Sequence, residues 1–327
     1  MSICYRLIES LADGRFHSGE GLAKQLGVSR AAVWKQVRKL DEVGLDIHAV
    51  RGRGYRLTTP FEPLDADVIR LQINAAINPR IETLEVLREV DSTSEFLKRR
   101  QTTIRRQQGI HVCLAEWQRA GRGRRGRHWV SPYGANLYLS LACILEEGIL
   151  QSGGLSLAVA ISVHRTLTGL GINGLGLKWP NDIFFHQRKL AGILLDLSGE
   201  GSGNYQVIIG VGINLHMPDS AGGKIDQPWT DLRASGLEQQ RNKLAGRLLE
   251  NLVIVMDTFS RQGLSAFAEE WRRHDITAGL PVELHTGQQA GVSGVARGID
   301  SRGALLIEQA GELRAFHAGE VSVRLTG

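Results

Sequence analysis

Cysteine is scarce in this 327-residue chain: Cys4, Cys113 and Cys143 are all there is, far apart in sequence. With neither a Cys-x-x-Cys pair nor zinc spacing, a disulfide scaffold and a zinc finger are excluded. Reduced thiols in buried structural positions, in a cytoplasmic protein, are the expectation. No apolar run approaches the roughly 18 residues of a membrane-spanning helix. The opening MSICYRLIESLADGRF carries Glu9 and Asp13 and lacks a basic stretch followed by an apolar one, so it does not read as a signal peptide. Internal repeats and low-complexity segments are missing. So are several catalytic signatures. No Gly-x-Ser-x-Gly elbow or His-Glu-x-x-His occurs, and Gly223-Lys224 is followed by Ile225, which denies it the phosphate-loop pattern.

What is present is an ordinary globular composition, 42% hydrophobic and 22% charged, long enough for two or three domains. Net charge is +5, and the basic residues concentrate in Arg30–Lys39, Arg51–Arg56, Arg99–Arg106 and Arg119–Arg127. Such clusters permit contact with nucleic acid or phosphate without demanding it.

Residues 3–57 read as a small unit. Ile3, Leu7, Ile8 and Leu11 are helically spaced, and two short helices flank Gly27-Val28-Ser29. Leu22 and Leu26 line the first; Val33, Val37 and Leu40 line the second, with Ser29 as N-cap and Gly44 as the stop. The outer face carries Arg30, Lys35, Gln36 and Arg38, and IHAVRGRGYRL follows as a basic hairpin. This predicts a winged helix-turn-helix in residues 1–60 that binds DNA, rather than a three-helix bundle with a merely soluble face. Ser29, Arg30 and Gln36 are placed to reach base edges, and Lys35, Arg51 and Arg53 to meet phosphates.

TTPFEPLDAD reads as a linker. Residues 66–275 mix strands (IETLEVLREV, IHVCLAEW, NLYLSLACIL, KLAGILLDLSGE, NYQVIIGVGINL) with helices (STSEFLKRR, GGLSLAVAISVHRTLTGLG, NKLAGRLLENLVIVMDTF), which predicts an α+β sheet domain. Residues 276–327 show short strands with turns at Gly287, Gly291, Gly298, Gly303 and Gly311, a small all-β barrel ending at Arg324. The fold class is therefore multidomain α+β.

Within the central domain, GRGRRGR packs four arginines and three glycines into seven residues. It satisfies Gly-x-Gly-x-x-Gly, but a dinucleotide fingerprint needs a helix directly afterwards, and HWVSPYG follows instead. What remains is a strand–loop–strand cluster of guanidiniums whose fork geometry fits phosphate oxygens, on glycines that admit close backbone approach. Such a loop can be disordered when empty and fold over an anion.

GRGRRGRHWVSPYGANLYLS, followed by KWPNDIFFHQRKLAGILLDL and GVGINL, resembles the biotin protein ligases. With the helix-turn-helix in front, the chain resembles the bacterial bifunctional biotin protein ligases that also repress the biotin operon. The resemblance implies a biotin/lipoate-ligase-like catalytic domain with a mixed sheet, and an SH3-like C-terminal barrel. It implies an ATP- and Mg²⁺-dependent reaction that forms biotinyl-5′-adenylate and moves the biotin to a lysine of the biotin carboxyl carrier protein of acetyl-CoA carboxylase. Ser92, Thr93 and Ser94 then match a biotin-contacting Ser-Thr-Asn turn, with Ser94 shortening one polar arm, and Gln118 matches a biotin-contacting glutamine. Arg122, Gly123 and Arg124 match the ligand-contacting loop, Arg124 on the adenylate phosphate. Lys189 matches the essential lysine between biotin carboxyl and phosphate. Trp129 is placed near adenine, Lys178 near the phosphates, Asp182 near substrate and metal, and Asn214 and Trp229 around the adenylate. His128 stands where many relatives have lysine. Glu320 and Arg324 match residues that couple the barrel to the catalytic domain.

The resemblance also implies partners: biotin operator DNA, the carrier protein, no membrane, and a homodimer once adenylate is bound. The strand Lys189–Leu197 is expected at the sheet edge where two copies pair. Rival readings are a ligand-sensing regulator without ligase activity, a lipoate-attaching ligase and an RNA-binding protein.

Overall fold

The computed structural model describes residues 3–107, 109–146, 154–198, 203–223, 225–286, 289–318 and 322–325. Helices α1 (Ile3–Leu11), α2 (Gly19–Leu26) and α3 (Arg30–Val37) bury Leu7, Ile8, Leu11, Leu22, Leu26, Val33 and Val37 against one another. Gly27, at φ 69°, ends α2 in the left-handed conformation that glycine adopts without strain. Ser29 then caps α3, its hydroxyl accepting from the Ala32 N–H at 3.2 Å. The helix expected to run to Gly44 stops at Val37, and Leu40–Val43 turns on as 3-10 helix. Strands β1 (Ile47–Val50) and β2 (Gly54–Leu57) form the antiparallel wing. Tyr55 pairs with His17, which locks the wing to the helices. A Cβ at Gly54 would sit 1.9 Å from the His17 carbonyl oxygen, so only glycine permits that approach.

The central domain is a seven-stranded sheet: β3 (Ile81–Leu87), β4 (Ile110–Ala115), β5 (Asn136–Glu146), β6 (Leu175–Lys178), β7 (Asp182–Phe185), β8 (Arg188–Ser198) and β9 (Asn204–Asn214), in the order β3-β4-β5-β9-β8-β7-β6. Only β3 and β4 are parallel, making the sheet mixed. Period-two alternation sorts the central strands into two faces. Leu137, Leu139, Leu141, Val207, Ile209, Val211, Ala191 and Ile193 face the main core, which includes the helices Leu155–Gly169 and Arg241–Gln262. Tyr138, Ser140, Gly210, Gly212, Gly192 and Leu194 take the other face, which becomes the site.

The expected edge position of Lys189–Leu197 needs correction, because β8 lies between β9 and β7. However, β7 pairs with β8 only from Arg188 to Gly192, so beyond Ile193 the far side of β8 has no strand neighbour among the described residues. β7 is simply shorter than the strand it covers.

Strands β10 (Pro281–Thr286), β11 (Gln289–Ile299), β12 (Leu305–Gln309), β13 (Glu312–Phe316) and β14 (Ser322–Leu325) form an antiparallel sheet ordered β13-β12-β11-β10-β14. Barrel closure by pairing of β13 with β14 is not seen among the described residues. Gly291 lies within β11 rather than at a turn, and Gly287 falls outside the described residues. Cys113 and Cys143 are buried, with burial pushing the Cys143 thiol up to about 12. Cys4, expected to be buried, is only half-buried on α1.

The domains meet through specific contacts. Phe61 belongs to the N-terminal core, while Leu64, three residues on and just ahead of helix α4 (Ala66–Leu71), belongs to the central one. Tyr133, from the central domain, inserts into the N-terminal core, its ring 6.0 Å from Tyr5 and 6.1 Å from Phe61. Beneath this seam a fully buried Arg241 pairs with Glu116 at 2.7 Å. Its guanidinium also donates to the carbonyls of Glu62 and Asn136. Glu116 in turn accepts from the Leu64 N–H at 2.6 Å.

Candidate functional site

The glycine-bearing face of β5, β8 and β9 floors a cavity roofed by the arginine loop and bounded by α5 (Thr93–Arg99) and the β6–β7 turn. Its two ends differ chemically.

One end is a network of buried hydroxyls. Ser92 is the N-cap of α5 yet makes no side-chain capping bond. Thr93 donates through both its N–H (2.9 Å) and its hydroxyl (3.2 Å) to Gln118 Oε1. Gln118 Nε2 donates to Ser131 Oγ at 3.1 Å, fixing the amide's orientation. Ser140 Oγ lies 2.7 Å from Thr93 Oγ1 and 3.0 Å from Ser94 Oγ. Ser94 also fits against Gly210, where a Cβ would come within 2.8 Å of its hydroxyl. Such a set of donors and acceptors suits a ligand group offering both.

The other end is cationic. Lys189, on β8, has a side chain only 14% exposed and pairs with Asp182 at 2.8 Å. The expectation that it projects from a buried strand is met. Arg124 donates to Asn181 Oδ1 at 3.1 Å and, across the domain seam, to the carbonyl of Ala318. Burial pulls its pKa down, opposed by Asp182, yet a guanidinium starts so high that it stays charged. Lys178 lines the cavity beside Asp182, with its ammonium 4.8 Å from the Phe184 ring centre. Asp182 is the one carboxylate among the lining residues. A single carboxylate fits a magnesium ion delivered with phosphates and completed by their oxygens, and does not make a protein cage by itself.

The arginine loop folds back on itself. Gly123 N–H donates to the Arg127 carbonyl at 2.8 Å, Arg122 bridges to His128, and Arg124–Gly126 forms one 3-10 turn, too short for a dinucleotide helix. Three of its arginines point to different places. Arg122 turns from the cavity's cationic end to ion-pair with Glu95, with Asp196 3.7 Å away. Arg125 donates to the His285 carbonyl of the C-terminal sheet at 3.0 Å. Trp129 lies on the glycine floor: a Cβ on Gly212 would meet its ring at 2.5 Å, and one on Gly192 at 3.0 Å. Its indole Nε1 is buried without a hydrogen-bond partner.

Two expected adenylate residues do not line the cavity. Asn214 donates to the Thr230 carbonyl at 3.1 Å, closing the end of β9. Trp229 packs on Gly222, and its neighbours Pro228 and Thr230 bond to the Lys189 backbone, so it anchors the loop that brings Gln227 to the cavity. Glu320 lies outside the described residues, and Arg324 is placed only by its backbone register opposite Glu283. Sequence reasoning missed Ser140, Asn181, Gln227 and the Glu95/Asp196 pair. Alternation along NLYLSLACIL could have exposed Ser140 as a polar residue among buried strand positions; the others depend on tertiary contacts.

On the N-terminal domain, Arg30, Lys35, Arg51 and Arg53 are exposed as expected, and the Arg53 guanidinium lies 4.4 Å from the Phe16 ring centre. Gln36 is half-buried, and Ser29 already spends its hydroxyl on the cap of α3. Trp34, unmentioned in any sequence expectation, stands on the outer face of α3.

Comparison with known proteins accounts for each part. Residues 86–214 match the biotin/lipoate A/B protein ligase family, residues 5–56 an HTH domain, and residues 278–324 the biotin protein ligase C-terminal domain. A biotin protein ligase from Aquifex aeolicus, solved with biotin and ATP, superposes with TM-score 0.63 at 26% identity, covering 75% of this chain and all of that one. Fold and site thus define a ligase carrying its own DNA-binding head. The bifunctional ligase/repressor BirA of Salmonella typhimurium is 42% identical over 97% of this chain and 96% of its own. That of Escherichia coli is 40% identical over 98% and 96%. The chain belongs to this family of bifunctional biotin ligase/repressors.

Proposed function

We propose that the chain activates biotin with ATP, transfers it to a lysine of the biotin carboxyl carrier protein of acetyl-CoA carboxylase, and represses transcription when loaded with the adenylate. The observation that carries this is the two-ended cavity, with buried hydroxyls and Gln118 at one end and Lys189, Arg124 and Asp182 at the other. Biotin's ureido ring suits the hydroxyl end, with Ser92, Thr93, Ser94 and Gln118 as its partners. Its carboxylate then points toward the cations, where an anion must approach a triphosphate.

Lys189 and Arg124 offset that repulsion and stabilise the charge that builds on the α-phosphate. The carboxylate oxygen forms a bond to the α-phosphorus as the bond to pyrophosphate breaks. In the second step a lysine amine attacks the acyl carbon, the bond from that carbon to the phosphate oxygen breaks, AMP leaves, and the nitrogen sheds a proton to give the amide. Mg²⁺, held by Asp182 and phosphate oxygens, would supply further neutralisation. Arg124 holds the adenylate phosphate, Arg122 and Gly123 shape the loop above it, and Lys178 steers the phosphates. Trp129 covers the adenine side, and Trp229 and Asn214 support that wall from behind.

The division into residues 1–60, 66–275 and 276–327 assigns operator recognition, catalysis and capping of the loop to separate units. Both tasks belong with the chromosome, in the cytoplasm. The segment of β8 beyond Ile193, unpaired on one side among the described residues, suits edge-to-edge pairing with a second copy around a two-fold axis. Leu197, 54% exposed, lies on that segment. Leu197→Lys is expected to abolish association in sedimentation runs with biotin and ATP; undiminished association would remove β8 from the interface.

The deciding assay is biotin-dependent exchange of labelled pyrophosphate into ATP without carrier. Exchange that disappears in Lys189→Ala and Arg124→Ala supports adenylation at this site. No exchange with biotin from folded protein refutes it, and exchange with lipoate instead would reassign the substrate.

A further inference from the structure

Trp34 is the odd tryptophan of the chain. Trp179 and Trp271 are buried to within 2%, Trp117, Trp129 and Trp229 are half-buried, and Trp34 alone is 52% exposed. It contributes nothing to the N-terminal core, which α3 meets through Val33 and Val37 on its opposite side. An indole left half in water forfeits part of the burial free energy that its side chain offers, and a partner outside the domain would restore it.

The surroundings say what that partner is. Arg30, Ala31, Lys35, Arg38 and Lys39 are exposed around it. Arg30, Trp34 and Arg38 are spaced four apart, forming one stripe along the helix. The α3 segment RAAVWKQV contains no carboxylate. None of Arg30, Lys35, Arg38 or Lys39 makes an ion pair among the described residues, although arginines elsewhere, such as Arg80, Arg88, Arg99 and Arg165, do. The Arg38 guanidinium lies 5.0 Å from the Trp34 ring centre, a stacked arrangement that holds both side chains on the outer surface. An apolar plate among cations that lack an ion-pair partner among the described residues, on the second helix of a helix-turn-helix, matches a major groove: phosphates at the rim, base edges at the centre. The apolar feature that a base pair presents there is the 5-methyl group of thymine.

We propose that Trp34 is a specificity-determining residue that reads thymine by packing its indole on the 5-methyl group in the major groove, with Arg38 braced beside it. The inference rests on the DNA-binding reading of the N-terminal domain and adds to it the base that is read and the residue that reads it.

The test uses the full chain with biotin and ATP present. Duplexes are enriched from a randomised pool, and each thymine of the enriched site is then replaced by uracil, which removes only the methyl group. The wild-type chain is expected to lose about fourfold in affinity for each contacted methyl removed, the value of one buried carbon. Trp34→Ala is expected to bind the thymine and uracil duplexes equally, with an unchanged slope of affinity against salt, since the phosphate contacts remain. Trp34→Phe is expected to keep part of the discrimination. Because Trp34 is exposed, an unchanged circular dichroism melt shows that the domain still folds. Thymine–uracil discrimination that persists in Trp34→Ala overturns the proposal, as does a wild-type chain indifferent to every replacement. A wild-type chain that binds no duplex at all overturns the DNA-binding reading itself.

Discussion

Arg122 lines the cavity and also holds the loop to a neighbouring element. Its ion pair with Glu95, close to Asp196 and Lys98, ties the loop to the helix that carries the hydroxyl end of the cavity. These side chains are partly exposed, so the tie is worth no more than about 1 kcal/mol. Glu95→Gln with Asp196→Asn should therefore speed escape of the adenylate by a factor of about two to five, read as release of activated biotin into solution. Gly212 works by absence instead. With Trp129 resting on it, Gly212→Ala forces the indole off the floor and should cost about 1–3 kcal/mol by denaturant midpoint, with a changed Trp129 environment in fluorescence. His164 is a third case. Burial, then the charge of His274 with its ring 4.0 Å away, pushes its pKa from 6.5 down to about 4. The unfolded chain takes up that proton near 6.5, while the folded chain resists until about 4. The stabilisation is complete above pH 6.5 and drains away as pH falls through that window. A His164→Phe chain should show a flatter loss of stability between pH 6.5 and 4 in melts across the range.

At the scale of elements, the strands and long helices were legible because their periodicities are strong. NLYLSLACIL and NYQVIIGVGINL became β5 and β9, and alternation along them separates core from site. The sheet order was not legible, since nothing in KLAGILLDL reveals that a short β7 covers only its first half. Nor could spacing show that Arg122 faces a carboxylate while Arg124 faces Asn181, because both facts depend on where other elements fold. Arg124, Asp182 and Lys189, singled out from the long motifs, line the cavity, and so do Ser140 and Gln227, which were not singled out although Ser140 closes the motif that begins at Gly121. The element-level seam has its own consequence. Glu116 and Arg241 are buried together, and leaving one charge without the other costs about 3–5 kcal/mol. Glu116→Gln should lower the unfolding midpoint far more than a surface Glu269→Gln control, which breaks only exposed pairs.

Across the whole molecule, the arginine loop is the place where all three units touch. Arg124 and Arg125 reach carbonyls of the C-terminal unit, Arg122 reaches α5, and Tyr133, four residues beyond Trp129, sits inside the N-terminal core. Tyr133→Ala should cost about 3–5 kcal/mol in that core and also raise hydrogen exchange across 121–131, far from any DNA contact; exchange confined to residues 3–57 would show that the loop is independent of the seam. Family models divide the chain into three matches, as if it were assembled from interchangeable cassettes. The position of Tyr133 argues otherwise. A gene split near residue 60 would yield a catalytic fragment with a bare aromatic ring where its neighbour used to be, and with the arginine loop above its cavity untied at one end. Losing the DNA-reading head is therefore not a neutral event for the enzyme: a lineage that discards it has to rebuild the footing of its own active site.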